Sequence, residues 1–226
     1  RLHHIQITKR SEFQNQKSIE DIQGSMKSIY ILLTRSETYV SKLIHLTTSD
    51  PFTHVSISFD RSLQPLYGFA RKTPRRALPA GLRTEPFNKG YYRQHRDIPC
   101  AVYEFQVSDD VYWRAKRLVD EMMENADWYR YNVLGLFLCA MNIPLSRKRY
   151  FFCAEFVGYI LQHSQAVTLP KEASLMHPTD YALIPGGHCI FQGTIRDLVA
   201  RRSPPVGAIR FRRPVKATPR NSRLAP

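Results

Sequence analysis

The spacing of apolar residues changes along this chain from a period near two to a period near 3.6, and that change limits what it can fold into. Short β-rich runs occupy the first half: Ser28–Thr34, Thr53–Phe59, Leu66–Ala70 and Ala101–Val107. Helical spacing follows. Val111, Ala115, Leu118, Val119 and Met122 mark one buried face of a helix over 111–125, with Ser108 as N-cap and Asp109 and Asp110 in its first turn. A more apolar helix is predicted over 133–141, stopped by Asn142 and Pro144. A third runs over 152–163, with Phe152, Phe156, Val157, Ile160 and Leu161 on one face. A last strand is expected near 189–192. These elements predict an α+β fold: an antiparallel sheet of four to six strands packed on the helix that begins near Phe152.

The intervening segments read as connections. Val40–Leu46 fits one or two helical turns before the break at Asp50-Pro51, and residues 71–99, basic and rich in Pro and Gly, read as a long excursion. Residues 1–25 are polar and Gln/Ser-rich, a flexible leader. The domain then spans 26–200, and 201–226 forms a basic Pro/Arg-rich disordered tail. That tail explains much of the charge. Eight basic residues and no acidic one fall between Arg201 and Pro226, so 8 of the net +14 sits there and +6 on everything before it. Contact of the tail with nucleic acid or an anionic membrane is the minority reading.

Hydrophobic residues at 43% exclude a disordered chain, and 226 residues suffice for one sizeable core. The longest apolar stretch, Val133–Met141, is about half of the ~20 residues that a membrane span needs. No charged-then-apolar leader is visible, so the expectation is a soluble cytoplasmic protein whose four cysteines are thiols. Cys100, Cys139, Cys153 and Cys189 match no zinc pattern of paired CxxC type, and no metal or organic cofactor is called for.

One cysteine stands apart. The first turn of a helix offers unpaired backbone N–H groups and the positive end of the helix dipole, which stabilise a thiolate, and Cys153 is placed there. Cys139 lies within an apolar run, and Cys100 and Cys189 sit on or beside strands, where small buried hydrophobes are expected. Core packing is the competing reading for Cys153 itself. A thiolate gains from an imidazole base, and His54 opens the strand after Asp50-Pro51. His45, His95 and His163 have surface readings, while His177 and His188 sit in turns and stay open as alternatives. Taken alone, His54 would more often be structural.

Three short motifs together resemble a known family. Phe152-Cys153-Ala154-Glu155-Phe156-Val157 is similar to the Cys-Ser-Glu-Leu/Phe-Val helix start of permuted NlpC-type, YiiX-like papain-like cysteine hydrolases, with Ala154 in place of the usual Ser. His54-Val55-Ser56-Ile57 is similar to their strand motif His-Val-x-Ile, with His54 placed 99 positions before the cysteine. Tyr131-Asn132 is similar to a Tyr-Asp/Asn pair that precedes the cysteine by about twenty residues. The resemblance covers about residues 26–198 and points to an uncharacterised bacterial branch. It implies a circularly permuted papain-like fold and a cysteine peptidase or amidase: Cys153 the nucleophile, His54 its base, and Tyr131 an aid to the Cys153 N–H in holding the oxyanion. The family also expects a polar residue on the next strand to orient the imidazole. Leu66–Ala70 contains no Glu, Asp, His or Asn, which leaves Tyr67 as the candidate. The implied substrates are peptides, amides or other acyl compounds. The alternatives are a lipid acyltransferase or phospholipase-like thiol enzyme, since permuted relatives share the His-before-Cys order, and a catalytically inactive basic binding module.

Overall fold

The computed structural model describes residues 26–35, 51–72 and 79–202. The leader over 1–25, the helical turns expected over 40–46 and the tail from residue 203 onward lie outside the described residues.

Strand β1 (Lys27–Thr34) is the hub of the fold. Alternate residues of a strand face opposite ways, and here both sets are apolar. Ile29, Ile31 and Leu33 join one core cluster, and Tyr30 and Leu32 join another on the opposite face. A strand buried on both faces reads as a continuous apolar run and belongs in the middle of a sheet. β2 (His54–Ser58) pairs with one side of β1, from Tyr30 opposite Ser58 to Thr34 opposite His54. β5 (Pro99–Val107) pairs with the other side, from Lys27 opposite Val107 to Thr34 opposite Cys100. β3 (Tyr67–Arg71) and β4 (Ala80–Thr84) extend the sheet beyond β2, and β8 (Gly187–Thr194) extends it beyond β5. The six-stranded order is β4-β3-β2-β1-β5-β8, and every neighbouring pair is antiparallel.

Helices cover both faces. On one, α2 (Asp109–Glu124) and α4 (Cys153–His163) lie over the cluster of Ile29, Ile31, Val55, Ile57 and Phe69. Phe156, Val157, Ile160 and Leu161 are fully buried, each worth about 1.5–3 kcal/mol relative to exposure. On the other face, α1 (Gly90–Gln94) and α5 (Ile195–Arg202) cover Leu32, Cys100 and Val102 with Tyr92, Ile195 and Leu198. Between α2 and α4 come the two-residue strands β6 (Arg130–Tyr131) and β7 (Tyr150–Phe151), paired parallel, and α3 (Val133–Ala140). No helix among the described residues is long and apolar enough to cross a membrane.

The α+β expectation and the antiparallel sheet match the structure, while several local readings need correction. Residues 71–99 are not one long excursion, because they contain β4 and α1. Their scattered Pro and Gly masked a strand only five residues long. Ser108 precedes α2 as expected, but its hydroxyl bonds the Asp110 carboxylate rather than capping the helix backbone. Cys189 is exposed rather than packed inside, since β8 is an edge strand. The two arginines that open the basic tail, Arg201 and Arg202, form the last residues of α5.

Candidate active site

β7 delivers the chain straight into α4, so Cys153 is the first residue of that helix. Its backbone N–H is among those a helix leaves unpaired at its start. The helix start is held by Glu155, whose Oε2 accepts from the Phe152 backbone N–H at 3.4 Å and from Asn132 Nδ2 at 3.1 Å. Asn132 is itself fixed: its Oδ1 accepts from the Gly135 N–H at 3.0 Å and caps α3, and its Nδ2 also donates to the Leu145 carbonyl. Any side chain at residue 135 would run into Asn132, which makes Gly135 necessary there. Burial pushes the Glu155 carboxyl up to about 7, against the pull of its hydrogen bonds from Asn132 and Phe152. Its Oε1 is buried with no hydrogen-bond partner among the described residues.

Tyr131 reaches the site through the small parallel pair. β6 and β7 align Tyr131 with Phe151, and the Asn132 N–H donates to the Phe151 carbonyl at 3.0 Å. Tyr131 thus lies beside the segment that leads to Cys153. Burial, then the nearby Cys153 charge, raises its hydroxyl well above the ordinary range.

His54 opens β2, opposite Thr34. Its Nε2 lies 3.0 Å from each carboxylate oxygen of Glu85 and 3.2 Å from Ser56 Oγ, and the Ser56 hydroxyl donates to Glu85 Oε1 at 2.6 Å. The ring shares the cavity with Cys153, close enough for the Cys153 side chain to raise the His54 pKa. With Nε2 engaged by Glu85, Nδ1 is the nitrogen left for sulfur. Burial alone would favour a neutral imidazole, but the Glu85 charge, the Cys153 side chain and the hydrogen bond to Glu85 lift His54 well above its ordinary value. Burial likewise resists ionisation of Glu85. The His54 charge and the bonds from His54 and Ser56 overcome it and hold Glu85 below the ordinary carboxylate range. Both shifts favour the charged forms of the pair, imidazolium and carboxylate.

Glu85 is the residue that sequence reasoning missed. It follows β4 directly, and its backbone N–H donates to the Leu66 carbonyl at 2.8 Å. The carboxylate reaches His54 across β3 because residue 68 is glycine: a Cβ there would collide with Glu85 Oε1. Tyr67, the sequence-based candidate for this role, does not take it. Strand parity puts it with Val55, Ile57 and Phe69 on the α4 side, against Phe59 and near Lys116, while His54 and Ser56 face the other way. Two signals for Glu85 were present. It is the one acidic residue between Asp60 and Asp97, and a glycine inside a strand marks close approach of another group.

Cys153, His54, Glu85 and Tyr131 line one cavity of about 230 Å³, walled on its apolar side by Phe69, Leu136 and Met176. His177 also lines it, and its backbone N–H is bound by Asp180 Oδ2 at 2.6 Å. His95 stacks on Tyr91, His163 bonds the Tyr159 carbonyl, and His188 lies on edge strand β8. The four cysteines are unpaired. Burial raises Cys100 to about 12 and Cys139 to about 11, so neither is suited to act as a thiolate near neutral pH. Among the described residues, no group of three or more His, Cys, Asp or Glu is placed to hold a metal ion.

Compared with protein-family models, with curated proteins and with solved structures, the chain finds no match in any of the three.

Proposed function

We propose that this protein is a cysteine hydrolase of circularly permuted papain-like architecture that cleaves an amide bond as a peptidase or amidase. One observation carries the reading: Cys153, at the start of a helix, shares one cavity with the His54 ring, whose Nε2 lies 3.0 Å from both oxygens of a buried Glu85 carboxylate. Nucleophile, base and orienting group in series match the general arrangement for activating a weak nucleophile.

The chemistry closes on these residues alone. With the Cys153 proton on His54, the thiolate sulfur attacks the substrate carbonyl carbon to form a C–S bond. The negative charge moves to oxygen, where the Cys153 N–H and the Tyr131 hydroxyl receive it. The imidazolium then protonates the amide nitrogen, the C–N bond breaks and the amine leaves. Water, giving a proton to His54, attacks the thioester and restores the thiol. Glu85 keeps the imidazole oriented and supports its charge throughout. A reducing compartment such as the cytoplasm would keep the thiol free.

A second reading, hydrolysis or transfer of a lipid acyl chain, draws on one observation. α3 carries Leu136 into the cavity wall, and its Leu134 and Phe137, with Met141 just after it, have 52, 55 and 56% of their surfaces exposed. Such a patch fits an apolar ligand. Short- and long-chain 4-nitrophenyl esters separate the two readings, because only a lipid enzyme gains strongly with chain length.

The central proposal is tested by trapping the acyl-enzyme with such an ester and mapping it by mass spectrometry. The adduct should sit on Cys153 and vanish in Cys153→Ala. His54→Ala should cost nearly as much turnover, because members of a catalytic unit are not additive. An adduct on another cysteine, or turnover that survives both substitutions, would overturn the reading.

A further inference from the structure

Cations outnumber carboxylates among the described residues that line the cavity beside Cys153. Arg71, Lys72, Arg83 and Lys89 line it, and Glu85 is the one carboxylate among the described lining residues. That carboxylate is already matched by His54.

The four cations differ in what they can do. Arg83 fastens the β3–β4 hairpin: its Nη1 donates to the Arg71 and Lys72 carbonyls at 3.0 and 3.1 Å, and its Nε to the Thr84 carbonyl at 3.3 Å. Arg71, at the end of β3, is half-buried, with its guanidinium 4.0 Å from the Tyr91 ring centroid. It lies within electrostatic reach of both Glu85 and Tyr131, so it borders the reaction centre. Lys72 and Lys89 are exposed, one just after β3 and the other at the N-cap of α1. A stacked guanidinium presents its N–H edge to a carboxylate or phosphate, and flanking ammonium groups draw such an anion into a low-dielectric cleft.

We propose that the cleft selects substrates carrying a carboxylate or phosphate group near the scissile bond, with Arg71 as the specificity-determining residue and Lys72 and Lys89 as the electrostatic entrance. The inference rests on the cysteine-hydrolase reading for the bond that is cleaved, and names a substrate class for it.

Iodoacetate and iodoacetamide test it. Both alkylate a thiolate at carbon with loss of iodide, and they differ by one negative charge. Their rate ratio at Cys153 would be measured in a Cys189→Ser background and referred to the same ratio for glutathione. The His54 imidazolium itself favours the anion, so the decisive quantity is how the ratio changes in variants. Lys72→Gln with Lys89→Gln, both exposed positions, should lower it roughly fivefold at low ionic strength and less in salt. Arg71→Gln should lower it further. An unchanged ratio in the double lysine variant overturns the proposal even if Arg71→Gln fails to fold. Glutarate and glycerol phosphate, added as competitors of iodoacetate, tell carboxylate from phosphate by which slows labelling more. If neither does, no anion is held and the proposal falls. A Cys153 inert to both reagents would instead bring down the hydrolase reading first, whereas ready alkylation without charge preference would leave that reading standing.

Discussion

Glu85 and Glu155 are both buried near Cys153, yet their pKa values are pushed in opposite directions. Glu85 is surrounded by groups that reward its charge: His54 Nε2 at 3.0 Å from both oxygens, the Ser56 hydroxyl, and the more distant Arg83. Among the described residues, Glu155 has neutral donors only, the Asn132 amide and the Phe152 N–H, and one of its oxygens has no partner. Burial penalises both charges, and the partner decides the outcome. The first carboxylate is held ionised and steers the imidazole, whereas the second, pushed up to about 7, stands at its midpoint near neutral pH and anchors the start of α4. A carboxylate at an active site is therefore read from its partners, not from its depth.

This contrast can be broken first at Glu85. Glu85→Gln keeps the shape but removes the charge and presents the wrong hydrogen-bonding face to His54, so turnover of a 4-nitrophenyl ester should fall about 10³-fold or more. A loss under tenfold would show that His54 needs no orienting carboxylate.

Glu155 should respond in stability rather than in chemistry. Its folded pKa is raised, so its contribution to stability is fully present below the ordinary carboxylate value of 4.5 and is lost as pH rises through about 7. The span corresponds to roughly 3 kcal/mol. Glu85 has the opposite sign. Its pKa is depressed, so its contribution is present above the ordinary carboxylate range and is lost as pH falls through its folded value. His54, raised, contributes most below its ordinary value of 6.5 and loses this as pH rises through its folded pKa. Urea unfolding of Glu155→Gln at pH 5 and pH 8 should show a flatter pH profile than the wild type. An unaltered slope would mean that Glu155 is not protonated on folding.

Two tyrosines sharpen the comparison at smaller scale. Tyr131→Phe should lower ester turnover about tenfold, less than loss of a sole oxyanion donor, because the Cys153 N–H remains. Its effect should appear in kcat rather than KM. Tyr67→Phe should leave turnover within about twofold and cost no more than ~1 kcal/mol of stability, the scale of one hydrogen bond. A large catalytic loss at Tyr67 would contradict its place among the core residues.

Much of the fold was legible because it is written in short-range periodicity. The alternating or continuous apolar runs became β1, β2, β3 and β5, and the helical spacing became α2, α3 and α4, with ends within one or two residues of expectation. β4, α1 and α5 were missed. They are short, they lie in stretches dense with Arg, Gly and Pro, and at such lengths periodicity carries little signal. Of the site, Cys153, His54 and Tyr131 were picked out from local motifs and do line one cavity. Glu85 was not, because the search looked on the strand next to His54, whereas the carboxylate comes from beyond a second strand and fills the space that Gly68 leaves open.

Local order along the chain therefore dictates which residues are strand, which are helix, and that a cysteine stands at a helix start, since each depends on neighbours only a few positions away. Tertiary structure alone decides which polar groups meet. His54 and Glu85 are 31 residues apart and are joined only because β3 and β4 pair antiparallel, in a register that sets Tyr67 opposite Thr84 and Gly68 opposite Arg83. The same registers turn Tyr67 away from the imidazole by strand parity. Charge state follows last, because burial and partners exist only once the sheet and α4 have packed, which is why the pKa values of the two glutamates move in opposite directions.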